Sequence, residues 1–432
     1  MSKTRFFGSL IKTNPTKPTA NSGANYGVAT GVWTLEEART FRAAGDWPIP
    51  ASAPGAPTIT SVTGGNAQVV VAFNANASTG GLDVTSFTAT ASSGQTASGS
   101  SSPLTVTSLT NGTAITFTVT ATNAAGTSSA SSASDSVTPS LPSRGLFAGG
   151  ASSGGDVNTI DYITVASTGN ATDFGDLTLA RGSLAGAASS TRATFGGGQT
   201  SESEDEIDYV TIASTGNAQD FGDLNIKVNF LAGHSSTTRG FFGGGGLDGG
   251  QVTDFIDYIT IASLGNATDF GDLTVARNGL AAAASTTRGV FGGGSSTSGA
   301  VNTIDYITIS STGDATDFGN LAQNNNQISG ASNDTRAFFA GGNEGGSVTD
   351  TIQYITISST GNTSDFGNLL GTRRLASGCA STTRGIIAAG IGSGIDGVIQ
   401  YITIDSTGNA TDFGDLTVNR YSVAATATRG GV

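Results

Sequence analysis

A mainly β chain, dominated by one short unit repeated about a centre, is what this sequence predicts, and three observations predict it. Tyr162, Tyr209, Tyr258, Tyr306, Tyr354 and Tyr401 recur every 47 to 49 residues, each in a run such as Asp161-Tyr162-Ile163-Thr164. Eleven residues after each tyrosine stands an Asp-Phe-Gly triplet, beginning at Asp173, Asp220, Asp269, Asp317, Asp365 and Asp412. β-Branched and aromatic residues fall at strand spacing between turn-rich stretches, in a chain of 64 glycines and only 12% charged residues. Fixed internal spacing over a period of about 50 marks four-stranded sheets set radially, because no unit buries both faces until neighbours flank it. The expectation is a six-bladed β-propeller over residues 140–432.

Residues 1–53 differ from all that follows. They hold both tryptophans and a short basic cluster, Lys3, Arg5, Lys12 and Lys17. Thr34-Leu35-Glu36-Glu37 reads as a capping box, in which the Thr34 hydroxyl accepts from the Glu37 amide and the Glu37 carboxylate reaches back. Leu35, Ala38 and Phe41 then recur at helical spacing, and Gly45 is placed to stop the helix. One short helix cannot form a core alone, so this segment is expected to dock onto something else. The run Gly31-Val32-Trp33-Thr34-Leu35-Glu36-Glu37-Ala38, ending Ala44-Gly45-Asp46-Trp47-Pro48, resembles a motif near the N-terminus of structural proteins from marine bacteriophages. The resemblance implies a short helical anchor on a virion, with Phe6, Phe7, Trp33, Phe41 and Trp47 as the anchoring residues.

Residues 54–139 read as a small β-sandwich. Alternation in Gln68-Val69-Val70-Val71-Ala72-Phe73 and in Thr116-Phe117-Thr118-Val119-Thr120-Ala121 gives half-buried strands between Ser-, Gly- and Asn-rich turns. The run from Leu109 through Asn111-Gly112, Phe117, Val119, Ala121, Asn123 and Gly126 resembles the late strand and turn of fibronectin type III domains. Phe73 stands where such domains commonly have Trp, and Ile115 where they commonly have Tyr.

One full repeat runs Leu184 to Ser190, Thr191-Arg192, Ala193 to Gly198, a variable loop, Ile207 to Ile212, and Ala218 to Leu224. This order of strand, Arg turn, apolar strand ending in glycines, Tyr strand and aromatic strand resembles the kelch repeat, with Phe where that family usually has Trp. The resemblance implies the propeller fold and says little about function. Seven matching arginines accompany the six tyrosines: Arg144, Arg192, Arg239, Arg288, Arg336, Arg384 and Arg429. The C-terminal strand, Tyr421 to Thr428, is therefore expected to complete the blade that begins at Arg144 and so close the ring.

His234 is the only histidine and Cys379 the only cysteine, so His-rich metal centres, disulfides and Ser or Cys triads lack partners, and the repeated Asp and Arg, which could hold calcium ions or anions, are read as structural. Acids that recur in every repeat do not make a unique catalytic pair, and no enzymatic activity, cofactor or metal is expected. Net charge is −13, which argues against nucleic acid as a partner, and no apolar run approaches membrane-spanning length. The repeated Arg is expected to hold a carboxylate or strand carbonyls bidentately between blades.

Binding is expected where the repeats differ. The turns between first and second and between third and fourth strands are near-constant, whereas the second-to-third and fourth-to-first loops, on the other face, vary freely. Ser201 to Glu206 is acidic, Gly243 to Gly250 is Gly-rich and Ile391 to Val398 partly apolar. Lys227, Phe230, Asn325, Arg373, Arg374 and Tyr421, in fourth-to-first connections, are the expected ligand-binding residues. The resulting expectation is a virion structural protein, tail-associated or part of a fibre, present in several copies and made in a bacterial cytoplasm. It meets other virion proteins through its N-terminal segment and a host-surface glycan or protein through the propeller. Capsid decoration without a ligand and glycan cleavage by paired acids are the alternatives.

Overall fold

The computed structural model describes residues 51–140 and 143–428, together with Glu36, Arg39, Thr40 and Ala43. Those four residues are helical and exposed, and the Thr40 hydroxyl donates to the Glu36 carbonyl at 2.9 Å. The Thr34 cap, the anchoring residues Phe6, Phe7, Trp33, Phe41 and Trp47, and Arg429 lie outside the described residues. No helix among the described residues is long and apolar enough to cross a membrane. The described chain is mainly β with antiparallel sheets, in two compact units that divide between residues 140 and 143.

In the first unit the strands are β1 (Thr58–Gly65), β2 (Gln68–Asn74), β3 (Ser86–Ala91), β4 (Thr96–Gly99), β5 (Leu104–Thr107), β6 (Phe117–Asn123) and β7 (Gly126–Thr127). They form two sheets, ordered β1-β2-β5 and β4-β3-β6-β7. Alternate residues of β2, β3 and β6 are buried, as a period of two demands when one face of a sheet is covered. Val69, Val71 and Phe73 from one sheet share a core with Phe87, Phe117 and Val119 from the other, and the Phe73 and Phe87 rings lie 4.9 Å apart. Beyond β7 the chain runs along β6 with an uncommon period. Ser128, Ser131 and Ser134, three residues apart, donate their N–H groups to Ala121, Val119 and Phe117, two residues apart. Each serine hydroxyl accepts the N–H of the same partner at 3.0 Å, so both backbone groups on this edge of β6 are satisfied.

The second unit holds six four-stranded sheets. The second of them shows the pattern: an inner strand Ala185–Ala188, then Arg192–Gly196, Glu204–Thr211 and an outer strand Gln219–Val228. The first sheet takes Arg144–Ala148, Thr159–Thr164 and Thr172–Asp176 from its own stretch of chain and its inner strand, Ala424–Ala427, from the far end. Ala424 faces Ala148 and Ala427 faces Gly145. Inner strands are built mostly of Ala, Gly and Ser because each packs against the inner strands of both neighbouring sheets, in an order that returns to its start. Six separate apolar cores lie between successive sheets.

Three circuits of hydrogen bonds join these sheets. At the periphery, Gly216 donates to the Phe174 carbonyl, Gly265 to Phe221, Gly313 to Phe270, Gly361 to Phe318, Gly408 to Phe366 and Gly169 to Phe413, at 2.7 to 2.9 Å. The Asp-Phe-Gly glycine is required here: Gly175 has φ of +149°, and a Cβ on it would lie 2.4 Å from the Gly216 carbonyl oxygen. In the middle circuit the repeated arginine of each sheet donates through Nη1 to a carbonyl of the next, from Arg144 to Ile212 at 2.6 Å round to Arg384 to Val165 at 3.0 Å. Each guanidinium also sits over the tyrosine of its own sheet, as Arg192 does over Tyr209 at 4.5 Å. Of the two expected partners, carboxylate or strand carbonyls, the arginine takes a carbonyl of the next sheet, through one bond rather than two, and adds an aromatic face. The tyrosine in turn meets the Asp-Phe-Gly phenylalanine edge-on, with Tyr162 and Phe174 5.8 Å apart. The innermost circuit belongs to the candidate site.

Candidate binding face

Six residues that end the fourth-to-first linkers form the innermost circuit: Ser183, Phe230, Gly279, Gln327, Leu375 and Ser422. Phe230 donates its N–H to the Ser183 carbonyl, Gly279 to Phe230, Gln327 to Gly279, Leu375 to Gln327, Ser422 to Leu375 and Ser183 to Ser422, at 2.7 to 2.9 Å. All six have φ between +50° and +60°, a left-handed conformation that five of them adopt despite carrying a Cβ. The circuit surrounds a shallow hollow that continues down to Gly186, Gly233, Ala282, Gly330, Gly378 and Ala425 of the inner strands.

Around this hollow the variable loops are more ordered than their sequences suggest. The second-to-third loops are short hairpins, paired as Ala151–Ser152 with Gly155–Asp156, Ser295–Ser296 with Gly299–Ala300, and Asn343–Glu344 with Ser347–Val348. The third sheet extends its own strands to pair Gly245 with Thr253, while Gln199 bridges Ser203 and Ile391 bridges Ile395. The base of every hairpin is bridged to a neighbouring linker: Ala151 to Tyr421, Gln199 to Gly182, Gly246 to Asn229, Ser295 to Asn278, Asn343 to Asn326 and Ile391 to Arg374. Variable tips therefore stand on a hydrogen-bonded base.

Beneath the hairpins runs a buried polar layer. Arg181, Arg277 and Arg420, fully buried, pair with the buried Asp208, Asp305 and Asp161 at 3.2, 2.9 and 3.0 Å. Arg181 also reaches Glu206 at 3.0 Å, and Arg420 donates to the carbonyls of Thr159 and Phe147. At the equivalent places of the other linkers the two partners differ, both together at one site and singly at two. Asn325 replaces the arginine where Gln353 replaces the aspartate, and Gln353 accepts from the Ala322 amide and the Thr363 hydroxyl. Arg373 faces Gln400 and turns instead to Asp396 at 3.2 Å. Val228 leaves Asp257 with no arginine; Asp257 accepts from the Asn225 N–H and side-chain amide at 2.9 and 2.6 Å, and burial pushes its carboxyl above the usual range.

The structure distributes the six expected ligand-binding residues unevenly. Phe230 lines the hollow. Arg374 is half-buried beside it and donates to the Gln327 side chain at 3.0 Å. Tyr421 is half-buried, with its backbone bridged to Ala151. Lys227 is exposed at the periphery, 3.5 Å from Glu204, whose carboxylate raises the lysine above its ordinary value. Asn325 and Arg373 are buried, and both are corrected from surface contacts to framework: Asn325 donates to the Gly341 carbonyl, and Arg373 to Ala389 and Asp396. Ser183, Gln327 and Ser422 also line the hollow, each at the same offset before an inner strand.

On the opposite end of the inner strands His234 packs against Phe241 and Phe291 at 4.9 and 5.0 Å. Cys379 is buried there, and burial pushes its thiol up to about 12. The chain matches no protein-family model and no curated protein.

Proposed function

We propose that residues 140–432 form a six-bladed, kelch-like β-propeller, that residues 54–139 form a fibronectin type III-like domain, and that the chain is a virion structural protein of a bacteriophage tail or fibre that attaches to a host-surface glycan. The propeller reading is supported by the three circuits of hydrogen bonds, each of which passes through six sheets and returns to its origin. The fibronectin-like reading is supported by the β1-β2-β5 and β4-β3-β6-β7 sheet orders. The anchor reading rests on the sequence of residues 31–48 alone.

One observation carries the attachment function. The repeats agree in framework and differ in hairpins and linkers that surround one hollow, so diversity is concentrated on a single rigid face. Recognition residues are commonly carried this way, on loops positioned by a scaffold. An antibody against the chain should decorate intact virions, and the purified chain should compete with them for host cells. Undecorated virions would refute the virion assignment, and undiminished adsorption the attachment role.

A further inference from the structure

Resting on that reading of the variable face, we infer that the hollow inside the innermost circuit takes an uncharged sugar ring, the end of a neutral glycan. The observation that decides the class is the chemistry of the lining. Among Ser183, Phe230, Gly279, Gln327, Leu375 and Ser422 no side chain is ionisable. Phe230 and Leu375 give one part of the circuit an apolar wall, while Ser422 and Ser183, consecutive in the circuit, give another part hydroxyls. Ser422 is 8% exposed, and its Oγ is buried with no hydrogen-bond partner. A buried hydroxyl without a partner is costly, and a ligand hydroxyl reaching it would remove that cost. The Gln327 side chain adds a third polar group, fixed through its Oε1 by Arg374. An aromatic or aliphatic face beside a few placed polar groups is what a sugar ring needs, since its C–H face is apolar and its edge is hydroxylated.

Size is compatible. The hollow has a cavity volume of about 90 Å³ and opens to solvent, so one ring can enter it.

Charge disfavours the anionic sugars. The buried arginines beneath the hairpins, Arg181, Arg277, Arg373 and Arg420, are each bound to a carboxylate. Lys227 is held by Glu204, while Arg374, bonded to the neutral Gln327 side chain, keeps its charge beside the hollow. The hairpins carry Asp156, Glu202, Glu204, Asp205, Asp248 and Glu344. A sialylated, sulfated or phosphorylated sugar would lose hydration in the hollow and face a negative rim that outweighs the one arginine.

The test uses the full chain on an array that carries neutral hexose- and hexosamine-terminated oligosaccharides beside sialylated, sulfated and phosphorylated ones, with adhesion to a panel of bacterial strains measured alongside. Neutral glycans should be bound. Phe230→Leu, which keeps an apolar side chain and removes the ring, and Ser422→Ala should each weaken that binding about tenfold with little change in melting temperature. Binding confined to anionic glycans, or neutral binding that survives both variants, overturns the inference. Adhesion to bacteria without any neutral-glycan binding overturns it too, but leaves attachment through this face standing. Absence of adhesion and of all glycan binding removes the attachment reading itself.

Discussion

Arg277→Asn removes one member of a buried pair for which the chain contains its own replacement. Arg277 is fully buried, with Nη1 2.9 Å from Asp305 and Nη2 donating to the Phe291 carbonyl at 3.2 Å. Burial draws the guanidinium below its ordinary value and Asp305 holds it up, so each charge is tolerated because of the other. Asn at 277 leaves the Asp305 carboxylate buried with only Thr274 as donor. Breaking such a pair costs about 3–5 kcal/mol, a fall in melting temperature of roughly 6–20 °C for a unit of this size. Asp305→Gln alone strands the arginine and should cost a comparable amount. The double variant approaches what the fifth sheet already has, where Asn325 donates to Gly341 and Gln353 accepts from Ala322 and Thr363; the fourth sheet has Ala315 at the place of Thr363, and the Thr274 hydroxyl stands in as the second donor. It should lie within about 1–2 kcal/mol of the parent, as measured by denaturant unfolding of all four proteins. Additive losses, with the double variant as unstable as the sum of the singles, would refute the argument that Arg277 and Asp305 are energetically coupled.

Asp257 gives a pH dependence set by its burial. Its raised native value means that the folded protein holds the proton more tightly than the unfolded chain, so stability falls as pH rises from 3.8 through the native value. Asp257→Asn should be more stable than the parent at pH 7 and lose that advantage towards pH 4; equal unfolding midpoints at both pH values would count against it. Gly175→Ala should destabilise by about 2–4 kcal/mol, because the new methyl meets the Gly216 carbonyl, whereas Gly154→Ala at an open hairpin tip should be close to neutral; calorimetry separates the two. Arg288→Met should cost about 1–2 kcal/mol through loss of the bond to Ile357 and the contact with Tyr306, and should leave any glycan affinity unchanged in the same array. Removing residues 1–50 should leave a folded protein that no longer joins its particle, which normal incorporation of the truncated chain would contradict.

Strand positions and the shared first sheet were legible because they depend on strictly spaced residues, Tyr, Asp-Phe-Gly and Arg, and on counting seven arginines against six tyrosines. Asn325 and Arg373 are hidden in the sequence because they stand in segments that vary from repeat to repeat, and variation is also what exposed residues show. A finer alignment carries the missing signal: Leu177 and Arg181, Leu273 and Arg277, Leu369 and Arg373, and Leu416 and Arg420 share one spacing, which is the mark of a buried position. The hairpin bases could not be read from sequence, since their bridges are made by backbone groups that any residue supplies. The left-handed circuit was hidden for a related reason. Only Gly279 among its six residues advertises a positive φ, and the other five are held there by tertiary hydrogen bonds.

The seam of the first sheet also fixes how the second unit would bear a mechanical load. The chain arrives at Ser143, where Thr428 donates its hydroxyl to the Ser143 hydroxyl and accepts the Arg144 N–H. Strand Arg144–Ala148 is then bonded along both edges, to Thr159–Thr164 and to Ala424–Ala427. Tension between residue 143 and anything gripped at the hollow enters this strand along its length. Both rows of bonds are strained together in shear, and neither can peel open one bond at a time. A seam made from the two distant ends of the unit thus places the point of pull on a strand that is anchored on both sides.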